Sequence, residues 1–193
     1  LVPDICERME VNHSAQISLL RGLRRVKGVK RVIVASGIRY DLVLADARFG
    51  RDYLVELLKH HVSGQMKIAP EHSDGRVLRL MGKPGTDILR KFRELYYSIA
   101  SRLNQDRHLS YYIIAAHPGC TESDMKSLKS FFRDKLRIIP RQVQVFTPTP
   151  STYSSLMYWT GKNPFTGESV FVERTYRGRE RQKDAVCGGN KTL

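Results

Sequence analysis

The chain has 193 residues, with 33 Lys and Arg against 19 Asp and Glu, giving a formal net charge of +14. Its 41% hydrophobic content is ample for a packed core and excludes wholesale disorder. No apolar run approaches the roughly 20 residues that span a bilayer, so no membrane partner is expected.

Asn12-His13-Ser14 has the chemistry of a helix cap, and Ile17, Leu20, Leu23 and Val26 then recur at helical spacing until Gly28. Val32-Ile33-Val34-Ala35 is a short continuous apolar run, the pattern of a doubly covered parallel strand, and it stops at Ser36-Gly37. A helix through Leu54, Leu57, Leu58 and Val62 ends at Gly64, and Gln65-Met66-Lys67-Ile68-Ala69 forms the next expected strand, closed by Pro70. Asp74 caps a short helix that Gly82 and Pro84 end, and Thr86 caps a long one through Leu103. Tyr111 to Ala116 is the third expected strand. Thr121-Glu122-Ser123-Asp124 has capping-box spacing ahead of a helix that Pro140 breaks. Val143-Gln144-Val145-Phe146 is the fourth strand, and a short helix starts at Ser151 or Thr152. Beyond Gly161 come the turn residues Asn163-Pro164-Phe165-Thr166-Gly167, a short edge strand at Val170-Phe171-Val172, and a basic tail.

Strands alternating with helices at this spacing predict an α/β fold of about four parallel βα units. A complete (β/α)₈ barrel takes roughly 250 residues, which leaves an open doubly wound sheet or part of a barrel. The expected division is a barrel portion over 1–160 and a short irregular extension, turn-rich and then basic, over 161–193.

The charge favours polyanions without naming one. Arg21, Arg24, Arg25, Lys27, Lys30 and Arg31 crowd the first helix and its exit, and Arg174, Arg177, Arg179, Arg181 and Lys183 crowd the tail among Glu173, Glu180 and Asp184. Aromatic interleaving is sparse, so a solvated face outweighs a nucleic-acid footprint for both. Cys6, Cys120 and Cys187 are too widely spaced for a disulfide framework, a zinc pair or a local iron–sulfur site, and reduced thiols in a cytoplasmic protein follow. No metal site is expected in this chain.

In parallel α/β folds ligands gather at the carboxyl ends of strands. Here those ends are Ser36-Gly37-Ile38-Arg39-Tyr40-Asp41, Pro70-Glu71-His72, His117-Pro118-Gly119-Cys120 and Thr147-Pro148-Thr149-Pro150. Arg39 could fork onto a carboxylate or ribose hydroxyl, or pair with Asp41. Glu71 and His72 could form an acid–base couple or serve the structure. His117 could line the pocket or be satisfied by its own turn, and Cys120 is a packed thiol before it is a nucleophile.

These four loops, with Arg76-Val77-Leu78, Met81-Gly82-Lys83-Pro84, Thr121-Glu122-Ser123-Asp124-Met125, Gln144-Val145-Phe146, Met157-Tyr158 and Asn163-Pro164-Phe165-Thr166-Gly167, resemble in order and over nearly the whole chain the YgiQ-type radical S-adenosylmethionine (SAM) proteins. More loosely they resemble the radical methylthiotransferases. The resemblance implies the carboxyl-terminal portion of a partial (β/α)₆ barrel, in a parent that binds a four-iron, four-sulfur cluster and cleaves SAM reductively to a 5′-deoxyadenosyl radical. It places Ser36, Arg39, Glu71, His72 and His117 in the SAM pocket. No catalytic residue and no substrate are identified. The family's C-x-x-x-C-x-x-C cluster motif is not in this sequence, and Cys6, in Pro3-Asp4-Ile5-Cys6, cannot replace it. With Leu1 in place of a Met, the expectation is a fragment that neither holds a cluster stably nor cleaves SAM. The competing expectations are an RNA-binding module acting through the basic helix and tail, separable by a steep salt dependence, and an ordinary α/β enzyme using Glu71 and His72 as acid and base, dismissed if Glu71→Gln leaves activity unaltered. Oligomeric state is left open.

Overall fold

A computed structural model of the protein describes residues 5–187; Pro3, Asp4 and residues 188–193 of the expected extension lie outside the described residues. The architecture is mixed α/β, with a three-stranded parallel sheet in the order β1-β2-β3, where β1 is Gln65–Glu71, β2 is His108–Ala115 and β3 is Gln142–Val145. β2 and β3 run parallel in a register that sets Ile113 against Val143 and Ala115 against Val145. Burial alternates along β2, with Leu109, Tyr111, Ile113 and Ala115 inward, as a period-two strand requires.

The described chain divides into two compact units. The first comprises 5–69 and 87–110. Its α1, Ser14–Arg24, packs on α3, Gly50–His60, through the buried Ile17 and Leu20. α1 ends before the expected Gly28, because Leu23 and Val26 are exposed and give the helix nothing to bury. A short α2, Tyr40–Ala45, was not expected; it buries Tyr40 and Val43 and packs on α3. The long α5, Thr86–Arg102, supplies Phe92 and Tyr96, which make an aromatic ladder with Tyr40 at centroid distances of 5.6 and 6.2 Å.

The first expected strand does not form as a ladder. The Val34 N–H donates to the His61 carbonyl, and His61 Nδ1 lies 2.8 Å from the Val32 carbonyl. Those backbone groups are therefore spent on the end of α3, and strand pairing is reduced to a single parallel bridge between Ile38 and Ile68. The expectation of about four strands is corrected to three plus this bridge.

The second unit comprises 70–86 and 111–187. It holds α4 (Gly75–Met81), α6 (Glu122–Phe131), a π-helical turn (Phe132–Leu136), α7 (Tyr153–Thr160) and α8 (Tyr176–Cys187). Asp74 caps α4 by accepting from the Arg76 and Val77 N–H groups. Thr121 and Asp124 form the reciprocal capping box of α6. Thr152 caps α7 by accepting from the Ser155 N–H. The Val170–Val172 edge strand is absent; an antiparallel bridge between Lys162 and Ser169 takes its place. The basic tail is not irregular. It forms α8, which turns Gly178, Gln182 and Val186 inward at four-residue spacing and packs on α6 and β3.

Candidate functional site

The chemistry concentrates in the second unit at the carboxyl end of β2. After Ala115 the chain takes positive φ at Ala116 (57°) and again at Gly119 (87°), then enters α6. The left-handed residues fold His117 and Cys120 back beneath the turn, where both are buried.

His72 follows β1 and meets Cys120 from the other side. The Asp74 N–H donates to His72 Nδ1 at 2.9 Å, which fixes the proton on Nε2, and Nε2 lies 3.4 Å from Cys120 Sγ. The Cys120 thiol donates in turn to the Thr121 carbonyl, 3.6 Å away. Burial pushes the imidazole down to about 4, against the pull of Asp74 and Asp124, and pushes the thiol up to about 12. His72 and Cys120 are therefore a neutral hydrogen-bonded pair and not an imidazolium–thiolate nucleophile.

His117 makes a second, differently polarised pair. Its Nδ1 lies 2.8 Å from the Pro118 carbonyl, which can only accept, so the proton is on Nδ1 and Nε2 accepts from the Ser154 hydroxyl at 2.7 Å. Burial again holds the imidazole down, to about 4, although the Pro118 carbonyl favours its charged form. The ring stands edge-on to Phe146, the residue that ends the β3 run, at 5.1 Å.

Two long side chains hold the turn. The Gln182 amide of α8 accepts from the Ala116 N–H at 2.9 Å and donates to the Cys120 carbonyl at 3.0 Å. Arg76 of α4 donates to the Gly119 carbonyl and, at 2.8 Å, to Asp124. Gly119 is required on two counts: its φ is left-handed, and a Cβ there would fall 2.3 Å from Leu80 Cδ1. Gly119→Ala is expected to cost roughly 2 kcal/mol from strain and overpacking; a urea midpoint matching the parent protein's would contradict this.

Glu71, beside His72 in the sequence, has a partner of its own. It sits at positive φ (64°) and pairs with Lys83 Nζ at 2.8 Å. In the first unit, Arg39 forks onto Asp41, its Nε 2.9 Å from Oδ1; that pairing raises the pKa of the guanidinium and, against burial, lowers that of the carboxylate. Ser36 is exposed on the bend before Ile38. Of the five expected pocket residues, His72 and His117 share one environment in the second unit, around Cys120. The basic helix is also partly neutralised: Arg21 and Arg24 both pair with Glu56, whereas Arg25, Lys27, Lys30 and Arg31 have no acidic partner among the described residues. Sequence reasoning missed Ser154 and Gln182, and met Arg76 only as part of the Arg76-Val77-Leu78 motif, with no role attached. The readable signal was Gln182, an uncharged amide four residues from both Gly178 and Val186 on a charged segment.

Among the described residues no group of three or more His, Cys, Asp or Glu side chains is arranged to hold a metal ion, and no helix is long and apolar enough to cross a membrane. A family model described as a domain of unknown function, DUF3362, matches residues 141–186, which span β3, α7 and nearly all of α8. The chain is similar to a UPF0313 protein of Fusobacterium nucleatum subsp. nucleatum, 49% identical over 191 residues, which cover 99% of this chain and 34% of that protein. It is similar also to UPF0313 proteins of Methanocaldococcus jannaschii, 44% identical over 97% of this chain and 31% of the relative, and of Clostridium perfringens, 40% identical over 94% and 27%. The chain spans about a third of the length of the curated relatives it matches.

Proposed function

We propose that the chain is the carboxyl-terminal part of a radical SAM core, a partial (β/α)₆ barrel in a longer protein that cleaves SAM reductively at an iron–sulfur cluster. The observation that carries this reading is the ordered set of strand-end motifs, of which the His117-Pro118-Gly119-Cys120 turn is the most completely built. The parallel β1-β2-β3 order and the much greater length of the UPF0313 relatives support it.

The cysteines present do not fit the cluster. Cys120 is a buried neutral thiol against His72, and Cys6 and Cys187 are exposed. Under this reading the cluster ligands belong to another part of the longer protein, and no step runs through residues of this chain. The expected SAM contacts fit only in part, since Arg39, Glu71, His72 and His117 each spend polar atoms on partners within the chain. Ser36 alone of the five presents a hydroxyl with no partner among the described residues. The contribution of this chain is therefore positional: hydrogen-bonded loops and neutral imidazoles at the strand ends, with the hard chemistry left to the cofactor.

Anaerobic iron–sulfide reconstitution of the longer protein is expected to give a four-iron cluster and, with dithionite and SAM, 5′-deoxyadenosine. The 193-residue chain alone is expected to give neither. A longer protein that yields no 5′-deoxyadenosine, or an isolated chain that takes up a stoichiometric cluster, overturns the proposal.

A further inference from the structure

A cavity of about 830 Å³ opens within the second unit, between α4, the Gly119 turn, the start of α7 and the 163–171 loop. That volume lies inside the range of small-molecule sites. Four features of its lining bear on the ligand. Arg79 reaches it from α4, exposed and without an acidic partner among the described residues, whereas its neighbour Arg76 is committed to Gly119 and Asp124. Glu168 also lines the cavity, with its carboxylate accepting from the Thr166 hydroxyl at 3.0 Å. Tyr153 and Phe165 line the same space as a tilted pair, centroids 4.7 Å apart, and both rings remain about half exposed. Ser154 spends its own proton on His117 Nε2, so towards the cavity its oxygen can only accept.

We infer that this cavity binds a nucleotide. The phosphate sits on the Arg79 guanidinium, whose fork matches its oxygens. A sugar hydroxyl donates to Ser154 Oγ, and the base packs on the Tyr153–Phe165 pair, which supplies aromatic surface at small entropic cost. The orientation of the serine is imposed from below: because the Pro118 carbonyl holds the His117 proton on Nδ1, Nε2 must accept, and the serine is fixed as an acceptor for the ligand. The inference stands apart from the radical SAM proposal, because SAM carries a sulfonium cation and no phosphate and so lacks the group that Arg79 selects.

The test is calorimetric titration of the protein with adenosine 5′-monophosphate, adenosine, inorganic phosphate and SAM as probes. Adenosine 5′-monophosphate is expected to bind at least tenfold more tightly than the other three. Arg79→Gln is expected to weaken it about tenfold without changing adenosine, and Phe165→Ala to weaken both. Both side chains are exposed, and unchanged thermal melts of the variants confirm that only the site is altered. Equal binding of the nucleotide and the nucleoside, no saturable binding of the nucleotide, indifference to Arg79→Gln, or displacement of the nucleotide by SAM at comparable concentration overturns the inference. Because none of these readouts needs a cluster, failure here leaves the radical SAM proposal untouched.

Discussion

Acidification from pH 7 to pH 4 is expected to destabilise the protein by several kcal/mol, with His72 and His117 as the cause. Both imidazoles are held neutral in the fold, with pKa values pushed down to about 4 by burial, whereas an unfolded chain titrates them near the ordinary 6.5. Above about pH 6.5 neither state takes up protons at these sites and the full stability is present. Below it the unfolded chain gains protons that the folded chain refuses, and stability falls until about pH 4, where the fold protonates as well. A shift of that size corresponds to on the order of 3 kcal/mol for each ring. The geometry gives each loss a structural meaning. A proton on His72 Nδ1 opposes the Asp74 N–H, and one on His117 Nε2 opposes the Ser154 hydroxyl. Urea denaturation at intervals from pH 7.5 to 4 measures the slope. His117→Gln is expected to reduce it clearly and the double variant with His72→Gln to remove most of it, the remainder coming from His60 and from carboxylates such as Glu56, whose pKa values the fold also lowers. A stability curve that stays flat across this window, or one the glutamines do not change, would refute the assignment.

Asp46→Ala is expected to cost roughly 3–5 kcal/mol, one of the largest effects of any single substitution in the first unit. The carboxylate is buried between α2 and α3 and accepts four hydrogen bonds: from the backbone N–H groups of His13, Arg48 and Phe49 at 2.7, 3.1 and 2.9 Å, and from His13 Nδ1 at 2.8 Å. His13 in turn stacks on Tyr53 of α3 at 4.7 Å, so the carboxylate fixes where α1 begins relative to its neighbours. Alanine leaves those donors without their shared acceptor, and the His13 N–H and Nδ1 among them are buried. Burial alone would raise the pKa of Asp46; the hydrogen bonds overcome it and hold the carboxylate down at about 2. Its contribution is complete above about pH 3.8 and is lost as the pH falls towards 2, below the histidine window. Asp46→Asn, which keeps one acceptor oxygen and loses the charge, should lie between the parent protein and the alanine variant. Chemical denaturation at neutral pH provides the measurement, and a loss below about 1 kcal/mol for alanine would remove the carboxylate from this role.

Local chemistry made several elements readable in the sequence. Asp74, Thr121 and Thr152 announce their helices because a capping side chain acts on backbone two or three residues away. The strand ends were readable for a related reason, as polar Gly- and Pro-rich stretches bounding apolar runs. What escaped depends on distant partners. Val32 and Val34 have strand composition, yet His61 takes their backbone groups. α2 follows Arg39 without a side-chain cap, so nothing local marks its start. α8 buries a glycine, a glutamine and a valine, a face too small and too polar to register as apolar periodicity. The pairs His72–Cys120 and His117–Ser154 join residues 48 and 37 positions apart. No spacing rule connects them, and only the fold shows that each histidine is spoken for.

The Gln182 clamp also has a consequence for the order in which the molecule is made. Its two partners, Ala116 and Cys120, precede it by 66 and 62 residues. At about 5–20 residues per second, a ribosome leaves the turn after β2 without its clamp for several seconds after that turn has been synthesised. During that interval the Ala116 N–H and the Cys120 carbonyl lack the Gln182 amide that bonds both of them in the finished fold. The nascent chain therefore passes through a stage in which the turn that carries Cys120 is held by two fewer hydrogen bonds than in the finished protein.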